Sequence, residues 1–202
     1  MTRPADKHNL KVAMLLAASS GFNLESLRSA AKSHWSRPFE FNVDEKDEGG
    51  VGPFSLEFGD FRIDVIHIPV PIPESEIDGA PPPTWSWPKF EEEFPKHPAH
   101  FIVTVSKPQG TPIEMALDLT KALLAVADSC SFMAAYWGDA PLFTRGDLFR
   151  VHTIDLSRKP LPLAVWVACH PITRPMGVGL LRTYGMKQFD APEIEHPLRV
   201  RR

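Results

Sequence analysis

His97 and His100, in the segment His97-Pro-Ala-His100, come closer to a pair of metal ligands than any other residues in this chain. Zinc takes three or four ligands, and no histidine, cysteine or carboxylate stands at ligand spacing beside these two. His67, His170, Asp190 and Glu193 could join them only through the fold, in a metal enzyme drawing on both halves of the chain. A hydrogen-bonded or surface histidine is the simpler expectation, so no metal and no cofactor is assigned. Asp190, Glu193 and Glu195 form an acidic corner near the C-terminus. Paired carboxylates do acid–base work when one of them is desolvated. Without a pocket to enclose them, a solvated corner beside Arg199–Arg202 is expected. Ser19-Ser20-Gly21 has the outline of a phosphate-binding turn. It lacks the P-loop lysine and the spaced glycines of a dinucleotide site. Arg145-Gly-Asp147 reads as a turn. With no nucleophile motif either, no catalytic residue is assigned and a non-enzymatic protein is expected.

A second kind of chemistry is recognition. Prolines at 69, 71, 73, 81, 82, 83, 88, 95 and 98 exclude a regular strand or long helix through most of residues 69–98. Trp85, Trp87, Phe90 and Phe94 argue against disorder, because disordered segments are poor in aromatic residues. The expectation is an ordered strap laid over the fold, with a short helix near Lys89–Phe94. Its rings either pin the strap or form a partner surface, since aromatic residues dominate interface energetics. The candidate partner-binding residues are Trp85, Trp87, Glu91, Glu92 and Glu93 in the strap, and Glu193 and Glu195 in the corner. A net charge of -3 gives no bulk attraction to nucleic acid. The acidic run suits a basic protein partner instead.

The elements that must position these residues follow from pattern. Lys11–Ala17 is a continuous apolar run, read as a strand buried on both faces. Asn23 caps a helix with Leu24, Leu27, Ala31 and Trp35 at helical spacing. Phe39–Val43 alternates like a strand. Phe54–Phe58 and Phe61–Val65 alternate around Gly59-Asp60 and read as a hairpin. After the strap, His100–Ser106 is a strand. Thr111-Pro-Ile-Glu114 then opens a helix running to about Cys130, with a capping threonine, proline at the first helical position and glutamate three residues after the cap. Phe132–Trp137 is a strand and Gly146–His152 is ambiguous. Leu163–His170 and Gly177–Tyr184 read as two further strands separated by Pro171–Met176. Gly185, Met186, Phe189 and Pro192 are expected to be structural, with Met186 and Phe189 buried against the sheet.

These elements predict one α+β domain over residues 1–202. It comprises two similar strand-helix-strand-strand modules, about 11–68 and about 99–197, joined by the strap at about 69–98. The sheet is mixed or antiparallel, with helices packed on it. Cys130 and Cys169 lie in apolar settings without metal spacing, and whether they pair stays open. No run approaches a membrane span and the first residues lack a signal core, so a cytoplasmic protein, a monomer or small homo-oligomer, is expected.

Tyr184-Gly-Met-Lys-Gln-Phe-Asp-Ala-Pro-Glu-Ile-Glu195 resembles the closing motif of the bacterial domain of unknown function 4261 family. In that family a threonine-x-glycine-methionine segment leads to phenylalanine-glycine-x-proline-glutamate-x-glutamate. The stretch from Trp87-Pro88 to His100-Phe-Ile-Val-Thr, and Ala134-Ala-Tyr-Trp-Gly138, are similar to further segments of it. Asp190 stands where the family pattern has glycine. The resemblance carries no established reaction. It implies a small cytoplasmic protein encoded near secreted toxins and type VI secretion components, hence an immunity or adaptor protein. The alternative is a small-molecule-binding protein or enzyme with a pocket between the modules. For that reading His67, His100, His170 and Glu193 are the first suspects, or a pocket lined by Tyr136, Trp137 and Trp166. A structural part of a secretion apparatus is a third reading.

Overall fold

In the computed structural model, which describes residues 10–43, 53–77, 86–154, 156, 161–173 and 179–198, the apolar run after Lys11 becomes β1 (Leu10–Phe22). It is longer than expected and absorbs Ser19-Ser20-Gly21 into the strand, which removes the phosphate-turn outline. The strand lies inside a seven-stranded sheet ordered β2 (Glu40–Val43), β3 (Pro53–Glu57), β4 (Arg62–Ile68), β5 (Ala99–Ser106), β1, β6 (Cys130–Trp137), β7 (Leu142–Arg145). Every pairing in it is antiparallel. The expected hairpin is present: β3 and β4 join through a turn closed by Phe58 N–H donating to the Phe61 carbonyl at 2.9 Å. Gly59 takes φ 83 there, a conformation glycine adopts without steric cost.

α1 (Leu24–His34) and α3 (Pro112–Ala127) pack on one another on one face of the sheet. The Asn23 side chain accepts from Ser26 N–H at 2.8 Å, and both halves of the Thr111–Glu114 capping box are made. The main core lies between these helices and the sheet. A second, smaller core lies on the opposite face, under the strap.

β1, from the first module, pairs only with β5 and β6 of the second, so the two modules share one sheet and one main core.

The ambiguous stretch after β7 is a helix, α4 (Gly146–Thr153). The expected strand over Leu163–His170 is not continuous. Leu163–Trp166 forms one helical turn, α5, and strand β8 (Ala168–Thr173) begins after it and runs through Pro171. A short apolar run satisfies either geometry, so tertiary contact decides. The turn drives Trp166 fully inside, where its Nε1–H donates to Thr120 Oγ1 of α3 at 2.8 Å. Pro171 is tolerated because β8 is an edge strand. β8 pairs with β9 (Gly179–Tyr184), and β9 with β10 (Glu195–Pro197), in a separate three-stranded antiparallel sheet. Trp85, Asp44–Glu48 and the glycines at 49, 50 and 52 lie outside the described residues.

Candidate functional site

The strap is pinned by its rings. Trp87, Phe90 and Phe94 are buried with Ile72 against Leu16, Ala134, Tyr136 and Phe143. Phe90 stacks on Phe94 at 4.9 Å and meets Phe143 at 5.1 Å. Trp87 therefore belongs to the core rather than to a free surface, and its Nε1–H donates to Glu93 at 2.6 Å. Of the acidic run, α2 (Phe90–Glu93) turns Glu91 and Glu92 to solvent, Glu92 pairing with Lys96 at 3.1 Å across one helical turn.

The histidine pair holds the same strap from below. Ile72 N–H donates to His97 Nε2 at 2.7 Å, so that nitrogen is unprotonated, while Nδ1–H donates to the Phe94 carbonyl. Burial pushes the His97 pKa down, and the ring is neutral. His100 Nδ1–H donates to the Val70 carbonyl at 2.8 Å. The hydrogen-bonded role expected of these histidines is met: both act as clamps for a proline-rich segment, whose prolines donate no N–H of their own. His67 stacks on Phe101 at 4.6 Å, and His170 lies against Tyr184 in the three-stranded sheet. Among the described residues no group of three or more histidine, cysteine or acidic side chains is placed to hold a metal ion. Both cysteines are free thiols; burial pushes the Cys130 pKa up to about 11, and Cys169 is exposed.

Of the acidic corner, Asp190 and Glu195 are exposed as expected, and Glu193 is not. One Glu193 carboxylate oxygen accepts from the backbone N–H groups of Gly185, Met186 and Lys187 at 3.0, 3.1 and 3.5 Å. The other accepts from Thr183 Oγ1 at 2.8 Å. Partial burial pushes this carboxyl up, but the hydrogen bonds together outweigh it and hold the pKa below the ordinary glutamate range. Only the geometry of the turn could show this, since it gathers three consecutive donors around one oxygen. Gly185 sits there at φ 103, where a Cβ would lie 2.7 Å from Ala140 and 2.8 Å from the Trp166 carbonyl. Asp190 takes the left-handed conformation at φ 57, one that aspartate tolerates better than most residues, so glycine is not required at that position. Glu195 is exposed and pairs with Arg182 at 3.6 Å.

Gln188 is a residue the sequence did not single out. Its carbonyl oxygen accepts from Lys11 Nζ at 3.1 Å and Trp137 Nε1 at 3.0 Å. Its amide donates to the carbonyls of Trp166 and Gly185, both at 2.8 Å. Lys11, which is buried, also pairs with Asp139 at 3.0 Å. This network ties the corner to the sheet. Met186 and Phe189 are half-buried rather than buried as expected, with Phe189 packed 5.5 Å from Trp166.

Two cavities stand apart from these clamps. A cleft of about 800 Å3 lies between α1 and α3, with Trp35, Arg37, Lys107, Asp118 and Lys121 on its walls. It is an inter-module pocket, but not the one expected: Tyr136, Trp137 and Trp166 are buried in the cores, and none of the suspected histidines lines it. Lys107 pairs with Asp118 at 3.1 Å, and Trp35 Nε1–H donates to the same carboxylate. A second cleft of about 360 Å3 runs beside β7. No protein-family model, curated protein or solved structure matches the chain.

Proposed function

We propose that this chain is a non-enzymatic protein-binding module of the immunity or adaptor kind associated with type VI secretion or polymorphic toxin systems. In this reading it acts in the cytoplasm, as a monomer or small homo-oligomer, on a basic partner such as a secreted toxin. One observation carries it: Glu91 and Glu92 are offered to solvent from a turn seated on buried Trp87, Phe90 and Phe94. Carboxylates held on a rigid base steer an oppositely charged partner with little further ordering cost on binding. The exposed Glu92–Lys96 pair is worth little and leaves both groups available. The resemblance of the closing motif to the domain of unknown function 4261 family supports the same reading. The test is capture from native cytoplasm on immobilised protein, followed by co-expression with the captured protein. A single partner, lost in the Glu91→Lys/Glu92→Lys variant and rendered non-toxic by co-expression, is the expected result. Recovery of no specific partner and protection against no neighbouring toxin would overturn it.

The cleft between α1 and α3 favours a second reading, a small-molecule-binding protein. Lys121 has no ion-pair partner among the described residues and faces the cleft with Arg37 and Lys107. A melting-temperature rise with an anionic metabolite, absent in Lys121→Glu, is what this reading requires.

A further inference from the structure

We infer that the cleft between α1 and α3 binds an amphipathic monocarboxylate, with its carboxylate at Arg37 and Lys121 and its aliphatic body along Leu124 and Ile154. The inference rests on the small-molecule reading and names the class of ligand. At about 800 Å3 the cleft lies within the range of about 300–1,000 Å3 typical of ligand pockets. One of its walls is a single face of α3, because Asp118, Lys121 and Leu124 recur at three-residue spacing. Six residues of helix advance about 9 Å, so this wall passes from charged to apolar over that length.

The Asp118 end is cationic. Lys107 pairs with Asp118 at 3.1 Å and Arg37 with Asp60 at 2.9 Å, and both cations lie over the Phe61 ring. Lys121 is the third cation on the walls. Among the described residues these three meet two carboxylates, one of which, Asp60, lies outside the cleft lining, and the balance is a single positive charge. That balance selects a carboxylate over a phosphate monoester, which carries close to two negative charges at neutral pH. Asp118 is occupied by Lys107 and by Trp35 Nε1–H. The Arg37–Asp60 pair is exposed on both sides and contributes little, which leaves the guanidinium available for bidentate contact with a carboxylate.

The Leu124 end is apolar. Leu124 is buried, half-buried Leu156 lies on the same lining, and Ile154, just past α4, reaches the cleft while 87% exposed. Covering Ile154 with an aliphatic chain removes apolar surface from water on both partners, which is favourable. The acid at this end of α3, Asp128, is matched by Arg150 at 2.7 Å and His34 at 3.2 Å, so it does not call for a cationic ligand. A small polar anion would leave this half of the cleft unmatched, and a neutral hydrocarbon would leave the other half so.

Titration calorimetry of the full chain with butanoate, hexanoate and octanoate, each below its micelle-forming concentration, tests this. Affinity should rise about three- to fourfold with each added methylene. Octylamine and octanol should bind at least about tenfold more weakly than octanoate, and octyl phosphate no more tightly than octanoate. Lys121→Gln should weaken octanoate by at least about tenfold. Ile154→Ser should weaken octanoate by at least about fivefold and butanoate by less than about twofold. Val151→Ser, at an exposed residue of α4 outside the cleft, should change neither by more than about twofold. Melting curves of the three variants confirm folding. No binding of octanoate, affinity independent of chain length, or tighter binding of octylamine or octyl phosphate would each overturn the proposal. So would undiminished octanoate binding by Lys121→Gln and Ile154→Ser. If citrate raised the melting temperature of the unaltered chain but not of Lys121→Glu, and octanoate did not bind, the small-molecule reading would stand and only the amphipathic ligand would fall.

Discussion

The strap and the C-terminal corner are both irregular segments laid against the sheet, and they are held by opposite means. The strap has few N–H groups to offer, so rings hold it: Trp87, Phe90 and Phe94 are buried, with His97 and His100 tying down the backbone at Ile72 and Val70. The corner has free N–H groups in a tight turn and only half-buried rings, so a carboxylate and an amide hold it. Where proline removes donors, apolar burial must supply the order. Where donors converge, one glutamate suffices. The acidic residues of the two segments differ accordingly: Glu91 and Glu92 remain available to a partner, while Glu193 is consumed by its own turn.

This contrast can be broken by mutation. Trp87→Ala should have the largest effect, a loss of about 3–5 kcal/mol read from denaturant unfolding, because it empties a fully buried site. Amide exchange should quicken around Ile72 and Phe90 but not in Gly185–Phe189. Equal loosening of both segments would show that they are not separate devices. Glu193→Ala should cost about 2 kcal/mol, since it strips a charged acceptor from three N–H groups and a hydroxyl. Glu195→Ala, which removes only an exposed pair, should cost less than about 1 kcal/mol. Near-equal costs for the two glutamates would mean that the turn does not depend on its carboxylate. Phe189→Ala should cost about 1–2 kcal/mol, below the range for a fully buried ring, because its site is half-open.

Acidity should separate the two segments in order of pH. The His97 pKa is lowered by folding, so below about 6.5 the unfolded chain binds more protons and stability falls as pH falls towards the folded value. The Glu193 pKa is also lowered; its contribution is present above the ordinary carboxyl range and is lost only as pH falls through the lower folded value. Amide exchange along the strap should therefore quicken at mildly acidic pH, before the corner changes. In His97→Gln, whose amide oxygen can still accept from Ile72, the mild-acid step should shrink. A corner that loosens first would reverse the assignment.

Much of the fold was legible in the residues. The hairpin at Gly59-Asp60, the Asn23 cap and the Thr111–Glu114 capping box are local devices whose partners lie within a few positions. The strap was legible too, because prolines exclude regular structure and clustered rings demand burial. Three roles depend on distant neighbours: the strand at Leu163 and the solvated Glu193 were misread, while the hydrogen-bonded histidines were expected without their partners. Leu163–Trp166 became a helical turn because Thr120 of α3 receives Trp166. His97 and His100 became clamps because Ile72 and Val70 lie over them. Glu193 became a half-buried acceptor because Gly185 bends three N–H groups towards it.

The sequence by itself determined the hairpin, the two long helices, the strap and most of the strands, since periodicity, caps and proline act over a few residues. Only the tertiary structure decided that β1 would sit between β5 and β6 and that Gln188 would join Lys11 to Trp137. Each of these depends on a partner far along the chain, and a single sequence carries no record of which distant residues will meet.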